Sequence, residues 1–331
     1  MRRGIAGLGI LTPAVLYIRH RTLLKREAPL LEKPLGQMVE VDGHKMCVYS
    51  EGEGAHTLVF LSGNATISPI LDFKSLDELL KDDYRIVVIE RFGHGFSDII
   101  DSERSFDTML RQDREALAQV GIEGPYILCP HSMAGIEAIL WAQKYPDEVE
   151  AIAGLDMAVP KDYEEMNLEG RLKVMKLYDV LREFGVLRLS YSDKMIPGNL
   201  SKEEKRLYRA IADRSAVNVA VYNEGLAVRE ACDQINAAPK PDVPMILFVS
   251  DGKQTGIPDW IDLAKDYAKD LSNAKIVELQ CGHYVHDYEY ERIDQELREF
   301  IEAPFPTGLF VLYSCLKTSY VLFPIAHINS S

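Results

Sequence analysis

Ser132 stands in the stretch "CPHSMAG" (129–135), between an apolar run, "YIL", and a run with helical spacing, "IEAILWAQKY". A serine at such a junction either caps the helix or is held on a sharp turn as a nucleophile. A hydroxyl is a weak nucleophile until a base takes its proton, so the second reading needs a histidine on the same edge. His283, in "CGHYVH" (281–286), follows the last strand-like run and meets that need. The alternative for His283 is a loop histidine bonded to nearby backbone, which is the reading given to His44 and His56. His286 lies three residues further on, and a His-x-x-His pair without a third ligand is a poor zinc site. The expectation for His286 is packing or bonding on the first turn of the last helix. His131, next to the serine, is expected to shape the turn rather than act as base.

For Ser132 and His283 to meet, the chain between them must build an edge that carries both. Strand and helix patterns alternate along it. "MVEVDGHKMCVYSEG" reads as a hairpin turning at Asp42-Gly43. "HTLVFLSG", "YRIVVIE", "YILCPH", "VEAIAGLD", "PMILFVS" and "AKIVELQ" read as buried strands. "LDFKSLDELLKDD", "FDTMLRQDREALAQVG", "MAGIEAILWAQKYP", "PDWIDLAKDYAKDL" and "DYEYERIDQELREFIE" read as helices. Continuous apolar strands alternating with amphipathic helices predict an α/β fold, a mostly parallel sheet covered on both faces. Ligands of such sheets bind beyond the carboxyl ends of the strands, where Ser132 would sit.

The chain divides into an N-terminal apolar segment and linker (1–35), a first core part (36–158), a helical insertion (159–241), a second core part (242–302) and an apolar tail (303–331). The insertion carries helical patterns and is too long for a structureless loop. With 331 residues, 47% hydrophobic and 27% charged, the composition is that of a globular protein with a sizeable core. A net charge of −14 without a central basic patch argues against a nucleic-acid partner. The five cysteines are scattered, without the spacing of a disulfide framework or zinc site. Residues 4–18 are uncharged and flanked by arginines; fifteen residues fall short of the ~20 of a spanning helix. A short uncleaved membrane anchor is the expectation, a membrane-surface segment the next reading, with "EAPLLEKPLG" as linker. The flanking arginines lean toward a cytoplasmic body but leave the side open, and the alternative localisation is cytoplasmic. The tail packs on the body, touches a membrane or is an extension foreign to the protein.

Four motifs in order carry a resemblance. "LSGNA" (61–65), "RFGHGFSD" (91–98), "PHSMAG" and "CGHYVH" together resemble the α/β-hydrolase superfamily, and more narrowly its capped bacterial members with a short N-terminal membrane segment. The resemblance spans residues 36–301. It implies an eight-stranded sheet with helices on both faces, Ser132 as nucleophile and His283 as base. It also implies an oxyanion hole from the backbone N–H groups of Asn64 and Met133, with Gly63 allowing close approach. The elbow departs from the usual Gly-x-Ser-x-Gly, since Pro130 and Ala134 replace both glycines; Pro130 must then sit at the end of its strand. The acid of similar enzymes usually follows "PMILFVS", but Lys253 or Gln254 falls there. Two candidates remain. Asp156 ends a strand expected beside that of Ser132 at ~4.8 Å, where some superfamily members, dehalogenases included, place their acid. Asp251 is close in sequence but early in its loop. Asp156 is the expected acid, with Asp251 second; the plainer reading of Asp156 is a turn residue bonding its own backbone.

These residues predict a serine hydrolase cleaving an ester or related acyl bond of a small, largely apolar substrate, with no metal or organic cofactor. Halide displacement would require an aspartate where Ser132 stands. Met175, Tyr178, Met195 and Tyr222 of the insertion are candidates for the pocket wall, or for the insertion's own core. A non-catalytic binding protein and an acyltransferase or lyase are the alternatives on the same scaffold.

Overall fold

Short runs of Val, Ile, Leu and Phe form the inner strands of this chain, where both faces find cover. A computed structural model describes residues 13–189, 196 and 198–303. The strands are β1 (Gln37–Val41), β2 (His44–Glu51), β3 (Thr57–Leu61), β4 (Arg85–Glu90), β5 (Tyr126–Pro130), β6 (Val149–Leu155), β7 (Met245–Val249) and β8 (Ala274–Glu278). They make one eight-stranded sheet in the order β1-β2-β4-β3-β5-β6-β7-β8. β2 runs antiparallel to both neighbours, and the remaining pairs are parallel. Asp42 and Gly43, both at positive φ, make the tight turn of the first hairpin.

The helices are α1 (Pro13–Leu31), α2 (Pro69–Asp72), α3 (Lys74–Leu80), α4 (Phe106–Gln119), α5 (Ala134–Lys144), α6 (Pro160–Glu165), α7 (Leu168–Glu183), α8 (Lys202–Ser215), α9 (Val219–Asn236), α10 (Trp260–Ala268), α11 (Val285–Tyr288) and α12 (Tyr290–Glu302). Side chains of α4, α5, α9 and α10, such as Met109, Ile139, Val228 and Leu263, cover one face of the sheet. Leu76 of α3, Val285 of α11 and Leu297 of α12 cover the other. α6 to α9 all lie between β6 and β7. α8 starts on a capping box, with Ser201 and Glu204 each bonding the other's backbone, and α9 starts on the Asn218 carboxamide.

The N-terminal expectation needs correction. The stretch read as a linker is helical as far as Leu31, and α1 packs against α8. Arg188 explains the docking. Its guanidinium grips Glu27 at 2.6 and 2.7 Å, donates to His20 Nδ1 at 2.9 Å, and pairs with Asp213 of α8 at 2.6 Å. Pro29 falls so near the end of α1 that little of the helical ladder is lost. Of the expected anchor, residues 13–18 open this helix, which soon carries Arg19, Arg21, Lys25, Arg26 and Glu27; residues 4–12 lie outside the described residues. Among the described residues, no helix is long and apolar enough to cross a membrane. The tail from residue 304 onward, and Met195, also lie outside them.

Candidate active site

β5 ends at Pro130, paired with Leu61 of β3, so the proline's missing N–H falls where the strand stops. The chain then turns through Ser132 at φ 54 into α5. A non-glycine residue there costs ~1 kcal/mol or more and persists only when its surroundings impose it. Here the Ser132 carbonyl accepts from Gly135 N–H at 3.0 Å and from Ala158 N–H at 2.8 Å, which pins the turn from both sides. Two close approaches need glycine. A Cβ at Gly63 would sit 2.8 Å from that of Ser132, and one at Gly135 would collide with the Ala158 carbonyl. Ala134, by contrast, is tolerated where the usual pattern has glycine.

Asp156 follows β6, beside β5, and is itself held at φ 50. It is 1% exposed, and the hydrogen-bond partners of its carboxylate are Ser250, Trp260 and His283. Oδ1 accepts from the Ser250 N–H and from Trp260 Nε1, both at 2.7 Å, and Oδ2 lies 2.6 Å from His283 Nδ1. A carboxylate can only accept, so Nδ1 of His283 is the donor in this pair, and Nε2 is the ring nitrogen left over. Asp251 instead bonds Lys253 through its backbone N–H at 3.1 Å and its Nζ at 2.7 Å, bonds that hold its carboxyl below the usual range. Gln254 stands near the position where similar enzymes carry their acid, and its Oε1 accepts the His283 N–H at 3.1 Å. Sequence reasoning missed both Gln254 and Trp260 as supports of the histidine loop.

Ser132 and His283 line the same cavity, of about 110 Å³. No hydrogen bond joins them in this structure, and neither Ser132 Oγ nor His283 Nε2 has a partner among the described residues. Such contacts are often looser without substrate. The backbone N–H groups of Met133 and Asn64 are likewise without partners among the described residues, and both residues line the cavity. The remaining wall is largely apolar, with Tyr163, Met166, Leu168, Leu172, Val228, Ile257 and Trp260, plus the guanidinium-bearing Arg171. Of the four side chains expected on it from the insertion, Met175 is there. Tyr178 is exposed at the surface, and Tyr222 lies instead under the Lys176 ammonium.

His131 is buried, and its Nε2 lies 3.1 Å from the His283 carbonyl, which makes it the donor that ties the elbow to the histidine loop. Burial drives its pKa well below the ordinary value, with His283 adding to the effect, so it stays neutral. His286 belongs to α11, not to the first turn of α12. It packs against Phe73 with ring centroids 4.7 Å apart, and burial lowers its pKa to about 3. Among the described residues, no group of three or more His, Cys, Asp or Glu is arranged to hold a metal.

Beneath the loop of residues 62–66 lies a buried charge network that the sequence patterns do not isolate. Arg91 donates to the Ser62 carbonyl at 2.9 Å, pairs with Glu137 of α5 at 2.8 Å and approaches Glu224 of α9 at 3.5 Å. Arg104 reaches the same Glu224 oxygen at 3.3 Å. Burial pushes the Glu224 carboxyl up, but Arg91, His94 and Arg104 outweigh it and hold it below the usual range. Burial together with these two arginines lowers His94 to about 4 against the pull of Glu224.

With this geometry in view, the comparisons with known proteins are informative. The family model for the alpha/beta hydrolase fold matches residues 56–290. Uncharacterized protein YbdG of Bacillus subtilis (strain 168) is 35% identical over 309 residues, covering 90% of this chain and 94% of its own. A local match, 36% identical over 77 residues, covers 14% of uncharacterized protein C23C11.06c of Schizosaccharomyces pombe. Among solved structures, haloalkane dehalogenase DbeA from Bradyrhizobium elkani USDA94 superposes with a TM-score of 0.63 at 20% identity, covering 80% of this chain and 96% of that one. At that identity the likeness speaks for the fold alone.

Proposed function

Since this chain belongs to the alpha/beta hydrolase fold family, we propose that it is a serine hydrolase that cleaves an ester, or a related acyl bond, through an acyl-enzyme on Ser132. The observation that carries this reading is the 2.6 Å pair of His283 with a buried Asp156, on the same cavity as a serine held in a left-handed turn. His283 Nε2 takes the Ser132 proton as Oγ attacks the carbonyl carbon, and Asp156 stabilises the imidazolium that forms. The N–H groups of Met133 and Asn64 receive the oxyanion, each worth ~3 kcal/mol in the transition state. The intermediate collapses as the imidazolium protonates the leaving oxygen. Water, activated by the same histidine, then releases the acid and restores the serine.

The substrate is a small molecule with a short apolar acyl group. A cavity of about 110 Å³ walled by Met, Leu, Val and Trp side chains supports this choice, since pockets for drug-sized ligands run to about 300–1,000 Å³. Helices α6 to α9 act as a cap, bringing Met166, Leu172, Met175 and Val228 to the wall. Halide displacement would need a carboxylate nucleophile where the chain has Ser132. The test is labelling of the folded protein with a fluorophosphonate, followed by peptide mapping. Labelling of Ser132 that Ser132→Ala abolishes is the expected result; labelling at another serine, or none, removes the reading in favour of a non-catalytic binding protein.

A further inference from the structure

The segment 62–66 makes few bonds of its own. Its one internal backbone bond joins Thr66 N–H to the Gly63 carbonyl at 3.4 Å. Yet Ala65 is held at φ 65, a left-handed conformation that an alanine keeps only when its surroundings impose it. Two outside arms supply that constraint. One is Arg91, which donates to the Ser62 carbonyl at 2.9 Å. The other is the Asn64 carboxamide, which reaches α9. Its Nδ2 donates to the Val221 carbonyl at 2.8 Å and lies 3.4 Å from Glu224 Oε2. Both arms converge on Glu224, which Arg91 and Arg104 together hold ionised in a site 0% exposed.

Resting on the serine-hydrolase reading above, we infer that the side chain of Asn64 is a positioning residue. It fastens the oxyanion loop to α9, so that the Asn64 backbone N–H is aimed at the reacting carbonyl only while α9 is seated on the core. The oxyanion hole is thereby built from two layers of the molecule, with the sheet supplying Met133 and the cap fixing Asn64. α9 also lines the cavity with Gly225 and Val228. A substrate that fills the cavity therefore presses on the same helix that aims the donor, and acyl-group fit is read out in the rate of attack rather than in binding alone.

Asn64→Ala tests this, because it keeps every backbone N–H and removes only the fastening. With a simple activated ester such as p-nitrophenyl acetate, kcat should fall by about tenfold to a hundredfold, part of what loss of a whole donor costs. KM should change less than threefold, and the second-order rate of fluorophosphonate labelling should fall with kcat. The melting temperature should drop only as far as one lost hydrogen bond requires. Unchanged kcat in a variant that labels normally overturns the inference and leaves the serine-hydrolase reading standing. A rise in KM matching the fall in kcat, with a large loss of thermal stability, shows a merely structural role and also overturns it. Glu224→Gln, which keeps an oxygen beside Asn64 but removes the charge between the two arginines, should move kcat the same way with a larger loss of stability; unchanged kcat in it counts against the α9 anchorage. Absence of labelling in the unaltered protein defeats the parent reading and this inference with it.

Discussion

A carboxylate that orients a catalytic histidine must be buried, must accept from it, and must be held by other donors. Asp156 meets all three conditions through His283, Ser250 and Trp260. Asp251 fails the first two: it is only half-buried, it does not meet His283, and it spends both oxygens on Lys253. Asp156→Asn should therefore lower kcat on an activated ester by up to ~10⁴-fold with the fold intact, because an amide favours the wrong tautomer and stabilises no imidazolium. Asp251→Asn should keep most activity. The reverse result would place the acid after β7; two active variants would leave a serine–histidine dyad. Ser132 and His283 were legible because each sits in a short motif at the end of a strand that periodicity alone locates. Asp156 was legible only as one of two candidates, since an acid after a strand is equally a turn residue. The Gln254 and Trp260 contacts had no signal at all: a loop glutamine and a tryptophan opening a helix look the same whether or not they hold a neighbour.

The hydrophobic period resolves sheet and helices well but says little about which helix rests on which. Helices were expected over 159–241, whereas α1 was read as anchor and linker because its prolines and its apolar start mimic both. What decides its fate is Arg188, 161 residues beyond Glu27, a separation that no local pattern spans. The network of Arg91, Arg104, Glu137 and Glu224 escapes sequence reading for the same reason, since isolated charges ordinarily mark a solvated surface. Arg188→Ala removes the partner of Glu27 and leaves the largely buried Asp213 with only the weaker pull of Arg209, at a cost of ~3 kcal/mol. Adding Asp213→Asn should recover part of that loss, because it removes the stranded charge; denaturant titration of both variants checks it, and additive losses would show that the pair is not coupled. Within the cap, Met175 of α7 offers the simplest change to the cavity. Met175→Ala should shift preference from acetyl toward longer acyl chains, measured as the ratio of kcat/KM for butyryl and acetyl esters. A ratio that does not rise would remove α7 from acyl-chain selection.

Across the whole molecule, buried ionisable groups of two kinds set the pH response of stability in opposite senses. Burial lowers His94 to about 4 and His286 to about 3. The unfolded chain then binds protons that the folded one refuses, and this contribution, full above ~6.5, is lost as pH falls. Burial raises Glu90 to about 7, Asp162 to about 7 and Asp287 to about 8. The folded chain then keeps protons that the unfolded one has released, and that contribution is full below ~4 and is lost as pH rises through 7 to 8. Between ~4 and ~6.5 the two kinds oppose each other. Above ~6.5 the histidines are silent and only the carboxyls titrate, so stability should decline toward pH 8, each group contributing at most ~1.4 kcal/mol per pH unit. Glu90 and Asp162 give up their protons around pH 7. Asp287 of α11 carries the fall on toward pH 8 together with Asp72, Asp77 and Asp113, whose carboxyls burial raises well above the usual range. An amide cannot ionise, so Asp287→Asn should make the fall in melting temperature between pH 5 and 8 shallower, its gain over the unaltered protein growing as pH rises. A variant that retains the full slope would show that the carboxyl at Asp287 is already ionised in the folded protein.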